Sequence, residues 1–140
     1  MEENDNNLFL ELHVPDFGKV KEFYGNLGFK VVYEEPVGEY LGYLVIKKGE
    51  TRLNFYGGDA RVYEHKFFKK FPGSTPRGYG VEAVVLVENV EEFYKSIFPY
   101  IQDCIVQPLE LKRWGKKDFR IEDPFGFYIR FSEPMDWGAN

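Results

Sequence analysis

The sequence predicts an α+β fold made of two βαβββ modules from an internal duplication, forming a cleft of mixed, curved sheet with the helices outside. Three observations carry this. Leu10-Glu11-Leu12-His13-Val14 alternates, stops at Asp16 and is followed by Phe23-Tyr24. Ala83-Val84-Val85-Leu86-Val87 behaves alike, stopping at Asn89 ahead of Phe93-Tyr94. The halves also close alike, on Leu53-Asn54-Phe55 and Ile129-Arg130-Phe131. A repeat this long implies two supersecondary modules facing each other, with function in the cleft between them. The expected organisation is a single domain, 1–140, with module one over 8–56, a linker over 57–79 and module two over 80–132.

The elements follow in order. Residues 1–7 are polar and are expected to fray. Residues 8–14 have the period of a half-buried strand, with Leu8, Leu10, Leu12 and Val14 on one face and Phe9, Glu11 and His13 on the other. Asp16 can cap the next helix, whose Val20, Phe23, Tyr24 and Leu27 form an apolar stripe ending at Gly28. Strands are expected over 29–33, 41–47 and 51–56, the last two as a hairpin across Lys48-Gly49. The linker opens on Gly57-Gly58 and is expected to hold a short helix over 63–71, with His65 at the surface. Module two repeats the plan: a strand over 81–87, a helix from 90 to about 100, and strands over 105–107, 109–114, 118–122 and 127–131. Asp123-Pro124-Phe125-Gly126 reads as a turn.

Composition excludes several function classes. A chain of 140 residues, 44% hydrophobic and 19% aromatic, can bury a real core. The aromatic excess suits packing, and equally a pocket for a planar or amphipathic ligand. A net charge of -5 argues against general nucleic-acid binding. The charge is uneven, since Arg61, Lys66, Lys69, Lys70 and Arg77 face only Glu64 within residues 61–77. The acidity elsewhere serves solubility as readily as it favours a cationic ligand. Cys104 is the only cysteine, so an internal disulfide and a Cys-based zinc site are excluded. No apolar run reaches membrane-spanning length and residues 1–7 lack the parts of a signal peptide, so a cytoplasmic location is expected.

With these motifs the chain resembles the vicinal oxygen chelate superfamily, which includes glyoxalase I, extradiol dioxygenases, fosfomycin-resistance enzymes and bleomycin-resistance proteins. The resemblance rests on Val14-Pro15-Asp16 with Glu22-Phe23-Tyr24 and Leu27-Gly28-Phe29. It rests also on Asp123-Pro124-Phe125-Gly126 with Ile129-Arg130-Phe131, and it spans residues 8–131. It implies metal-ligand positions seven residues before each helix-capping residue and in each module's last strand. Those positions hold Phe9, Asn54, Glu82 and Arg130. Phenylalanine cannot ligate and a guanidinium repels a divalent ion, so neither a metal nor another cofactor is expected. A shifted site at His13, Glu11 and Glu82 is weaker, because strand rise puts His13 roughly 13 Å past the Phe9 position.

The metal-free pattern is most similar to the bleomycin-resistance branch, as are Pro76-Arg77-Gly78-Tyr79-Gly80 and Trp114-Gly115 before Asp118-Phe119-Arg120. That branch implies a homodimer that sequesters a small amphipathic or aromatic molecule, a cationic one included, without modifying it. The expected ligand-binding residues are Phe9, Glu11, His13, Asn54, Tyr56, Glu82, Trp114, Tyr128 and Arg130, with no catalytic residue among them. Glu82 and Arg130 read either as a ligand-orienting pair or as a structural salt bridge. Trp137 is expected to dock onto the body or a partner subunit. The rival is a superfamily enzyme, a lyase, isomerase or dioxygenase with an atypical metal site.

Overall fold

The computed structural model describes residues 8–59 and 61–136. The expected fraying of residues 1–7 and the docking of Trp137 lie outside them. The chain divides between Ser74 and Thr75 into two compact units, each built as β-α-β-β-β.

Unit one contains β1 (Glu11–Val14), α1 (Phe17–Asn26), β2 (Lys30–Glu35), β3 (Gly42–Lys48) and β4 (Thr51–Gly57). Its sheet runs β1-β4-β3-β2, with β1 parallel to β4 and the other pairs antiparallel. Asp16 starts α1 by accepting from the Lys19 amide at 3.2 Å, as its place after the strand predicts. Leu44, Ile46 and Phe55 are buried on the sheet face that meets Val20 and Tyr24 of the helix. Gly42 is required where β3 begins: a Cβ there would lie 2.6 Å from the Glu35 carbonyl and 2.7 Å from the Phe17 ring.

Unit two contains β5 (Glu82–Leu86), α2 (Val90–Ile101), β6 (Ile105–Leu111), β7 (Lys117–Glu122) and β8 (Tyr128–Ser132). Its order, β5-β8-β7-β6, copies that of unit one. Asn89 caps α2 by accepting from the Glu92 amide at 3.3 Å. Phe119, Ile121, Ile129 and Phe131 form the buried face, and the stacked Phe119 and Phe131 rings meet Phe93 of the helix. Asp123 closes the last turn, its Oδ1 accepting from the amides of Phe125 and Phe127 at 2.9 and 2.8 Å.

Three expectations need correction. The first strand starts at Glu11 rather than at residue 8, because β4 pairs with it only from Asn54 onward. Leu10 is accordingly exposed and Leu12 half-buried. Residues 105–111 form one strand instead of two. Pro108 is accommodated because β6 is an edge strand and its pairing with β7 shifts register between Gln107 and Glu110. The helix expected over 63–71 is replaced by two 3₁₀ turns, Arg61–Glu64 and Phe68–Lys70. Bonds of i+3 type close them, such as Phe71 N to Phe68 O at 3.0 Å, and neither turn propagates.

Candidate functional site

Each sheet turns one face to its helix and carries polar side chains on the other. In unit one the parallel register sets Glu11 opposite Asn54 and His13 opposite Tyr56, and the antiparallel register brings Tyr43 beside Tyr56. The Tyr43 hydroxyl donates to Glu11 Oε2 at 3.0 Å and accepts from Asn54 Nδ2 at 3.0 Å. Asn54 is buried, and its Oδ1 has no hydrogen-bond partner. Burial raises the Tyr43 phenol above its ordinary value of 10.0; the bond from Asn54 works against this and the one to Glu11 adds to it.

At the end of β1 the His13 ring is a hub. Its centroid lies 4.9 Å from Tyr56, 5.3 Å from His65 and 5.0 Å from Phe68. His13, Tyr56 and His65 line a pocket of about 210 Å³ together with Leu41, Asp59 and Arg61. Burial alone would raise the Asp59 carboxyl, but Arg61 lowers it on balance through its amide, its side-chain bond and its charge. The Nε of that guanidinium is 2.7 Å from Asp59 Oδ2. His65 is exposed, as expected, yet it forms part of this wall.

Unit two carries a polar network across all four of its strands. Arg120 and Arg130 are direct register partners on β7 and β8. Like charges so placed are destabilising, so the pair needs counter-charges. Glu82 supplies one through a single oxygen, Oε1, at 3.0 Å from Arg120 Nε and 3.3 Å from Arg130 Nε. Asp118, fully buried, supplies the other from 3.7 Å. Gln107 joins the two, donating to Asp118 Oδ1 at 2.9 Å and accepting from Arg120 Nη1 at 2.6 Å. Arg130 Nε and Asp118 Oδ2 have ion-pair neighbours but no aligned hydrogen bond.

The sequence-derived residues distribute as follows. Glu11, His13, Asn54 and Tyr56 share the polar face of unit one. Glu82, Arg130 and Tyr128 share that of unit two, Tyr128 being the register partner of Glu82. Phe9 precedes β1 and is exposed; Glu11 stands opposite Asn54 as Val84 stands opposite Arg130, so Phe9 and Glu82 hold corresponding places. Trp114 is exposed in the turn between β6 and β7. Tyr43, Gln107, Asp118 and Arg120 were missed, though apolar Phe119 and Ile121 already assign Asp118 and Arg120 to the opposite face.

This donor set does not suit a divalent ion. The Glu82 carboxylate is engaged by two guanidiniums, and Arg130 stands at a ligand position as a fixed cation. In unit one the corresponding positions hold Phe9, which cannot ligate, and the amide of Asn54, while the nearby Glu11 carboxylate already holds a phenol. Among the described residues no group of three or more His, Cys, Asp or Glu could hold a metal ion. No described helix is long and apolar enough to cross a membrane.

Over residues 8–131 the sequence matches the family described as the Glyoxalase/Bleomycin resistance protein/Dioxygenase superfamily. Among solved structures it is similar to a bleomycin resistance determinant encoded on the transposon Tn5. Identity is 22% and the TM-score 0.68, covering 94% of this chain and 99% of that one. A bleomycin-binding protein in complex with bleomycin is 20% identical, with a TM-score of 0.65 over 93% of this chain and 99% of that one. A glyoxalase/bleomycin resistance protein/dioxygenase family enzyme from Burkholderia phytofirmans PsJN is 14% identical, with a TM-score of 0.66 over 91% and 97%. At these identities the likeness is one of fold. No curated protein matches the sequence.

Proposed function

Because the chain belongs to the glyoxalase/bleomycin resistance protein/dioxygenase superfamily, we propose that it is a bleomycin-resistance-like binding protein. It sequesters a small amphipathic or aromatic molecule on the polar sheet faces without modifying it, and acts as a homodimer. The observation that supports this most is the pair Arg120 and Arg130 on β7 and β8, held by Glu82. Guanidiniums repel the divalent ion that metal-dependent chemistry needs, yet they remain good partners for a polar ligand. Aromatic side chains beside polar groups, such as His13 and Tyr56 near Glu11, suit an amphipathic molecule. Pairing of two chains would cover exposed apolar side chains such as Leu8, Leu86 and Val106.

The test is a thermal-shift screen of a small-molecule library that includes bleomycin, followed by recovery of each hit. A ligand at a hundred times its Kd adds about 2.7 kcal/mol of stability. A hit recovered chemically unchanged supports sequestration, and a hit recovered as product refutes it. A second reading, a metal-independent lyase or isomerase, rests on the Tyr43–Glu11 hydrogen bond, which holds a proton between two acids. Turnover that disappears in Glu11→Gln would favour it.

A further inference from the structure

We infer that Arg120 and Arg130 form a clamp for an oxyanion, so that the molecule bound at this face carries a carboxylate, phosphate or sulfonate group. In this view Glu82 is the built-in competitor of that group. The inference rests on the binding-protein reading and adds the ligand's charge to it.

Two guanidiniums set directly opposite each other on neighbouring strands are a cost that packing alone does not require. Apolar residues of similar volume would fill the space at least as well. The two acidic partners are held differently. Asp118 is fully buried and fixed by Gln107 at 2.9 Å, so it stays with Arg130. The Glu82 side chain is 31% exposed, against 18% for Arg120 and 15% for Arg130, so it lies on the solvent side of the pair.

Glu82 also satisfies the pair poorly. One oxygen serves two Nε groups, and Arg130 Nε is buried without an aligned acceptor. Two cations stand against two anions, so swinging Glu82 outward leaves one positive charge uncompensated. A single incoming anion restores the balance. It can offer more than one oxygen to the two planar forks, which a bridging Oε1 does not. Tyr128 stands on the same face as the register partner of Glu82, where it gives the ligand's apolar body a surface.

The test uses three molecules with one aromatic body: naphthalene-2-carboxylate, naphthalene-2-carboxamide and 2-naphthylmethylammonium. Calorimetry gives their affinities for the wild-type chain, E82Q and R120Q, and ¹⁵N spectra follow the arginine Nε signals. Wild type should prefer the carboxylate over the carboxamide by roughly tenfold, the scale of one charge-assisted hydrogen bond. E82Q should tighten the carboxylate by a similar factor and leave the carboxamide unchanged. R120Q should abolish the preference. If R120Q does not fold, R120K keeps the cation without the fork and should lose most of the preference.

Equal affinity for carboxylate and carboxamide, a preference for the ammonium, or weaker carboxylate binding in E82Q would each overturn the clamp and leave the binding-protein reading standing. Failure of all three molecules to bind at millimolar concentration, with thermal-shift hits elsewhere in the library, overturns the clamp alone. Failure without any hit overturns both.

Discussion

Tyr43 and Glu11 share a 3.0 Å hydrogen bond although their strands are not neighbours: β4 lies between β1 and β3, and the phenol reaches across it. Asn54, on the intervening strand, donates to the same hydroxyl at 3.0 Å. Tyr43→Phe removes both bonds and strands a buried amide whose Oδ1 already lacks a partner. The expected loss is about 1–3 kcal/mol, the cost of an unsatisfied buried polar group, read from urea denaturation. A loss within error would mean that water reaches Asn54.

The same hydroxyl gives stability a pH dependence. Burial, the first cause, raises the Tyr43 phenol above 10.0, so the folded chain keeps a proton that the unfolded chain releases more readily. Its contribution is therefore constant below pH 10 and is lost as pH rises above that value. Melting curves from pH 9 to 11 should fall more steeply for wild type than for Tyr43→Phe. Tyr33, raised mainly by the charge of Glu35, keeps a residual slope of the same sign in both. Parallel curves would exclude the effect at Tyr43.

Metal addition should do nothing. Purified chain is expected to hold no stoichiometric divalent ion, and zinc, nickel or manganese should leave the melting temperature unchanged. The guanidinium of Arg130 at a ligand position is the reason. One equivalent of bound metal by elemental analysis, lost in Glu82→Ala, would sink this expectation.

Core truncations should rank by burial. Phe55 is fully buried and packs 5.5 Å from the Tyr24 ring, so Phe55→Ala should cost about 3–5 kcal/mol. Leu12 faces the same helix but is only half-buried, so Leu12→Ala should fall at or below the lower end of the 2–5 kcal/mol range for leucine truncation. The inverse order in chemical denaturation would mean that the strand faces are exchanged.

Sedimentation at micromolar concentration should give the mass of a dimer, since exposed Leu8, Leu86 and Val106 add to the apolar surface of a small chain. A monomer would contradict this.

What could be read from the chain was local. Alternation around Leu12 and Val14 put Glu11 and His13 on one face, and Asp16 and Asn89 marked the helix starts because their side chains bind amides three residues on. What could not be read was register. Alternation assigns Arg120 a face but says nothing of its standing beside Arg130, which depends on how β7 slides along β8. The same holds for Phe9 and Glu82: each stands two positions before the residue that pairs with Asn54 or Arg130, an offset that appears only once the strands are aligned. Tyr43 was invisible because its bond to Glu11 spans a whole intervening strand.

The parallel pairs give each polar face a place in folding order. The β3–β4 hairpin closes between near neighbours, but Glu11 must find Asn54, 43 positions away, and Glu82 must find Tyr128, 46 positions away. Loop-closure entropy puts such contacts after the hairpins. Glu11 is therefore expected to join Tyr43, and Glu82 the arginines, only when β1 or β5 docks. A molecule bound across these strands acts as a staple on that last step. It should slow the escape of β1 or β5 in hydrogen exchange while leaving the hairpin amides unchanged.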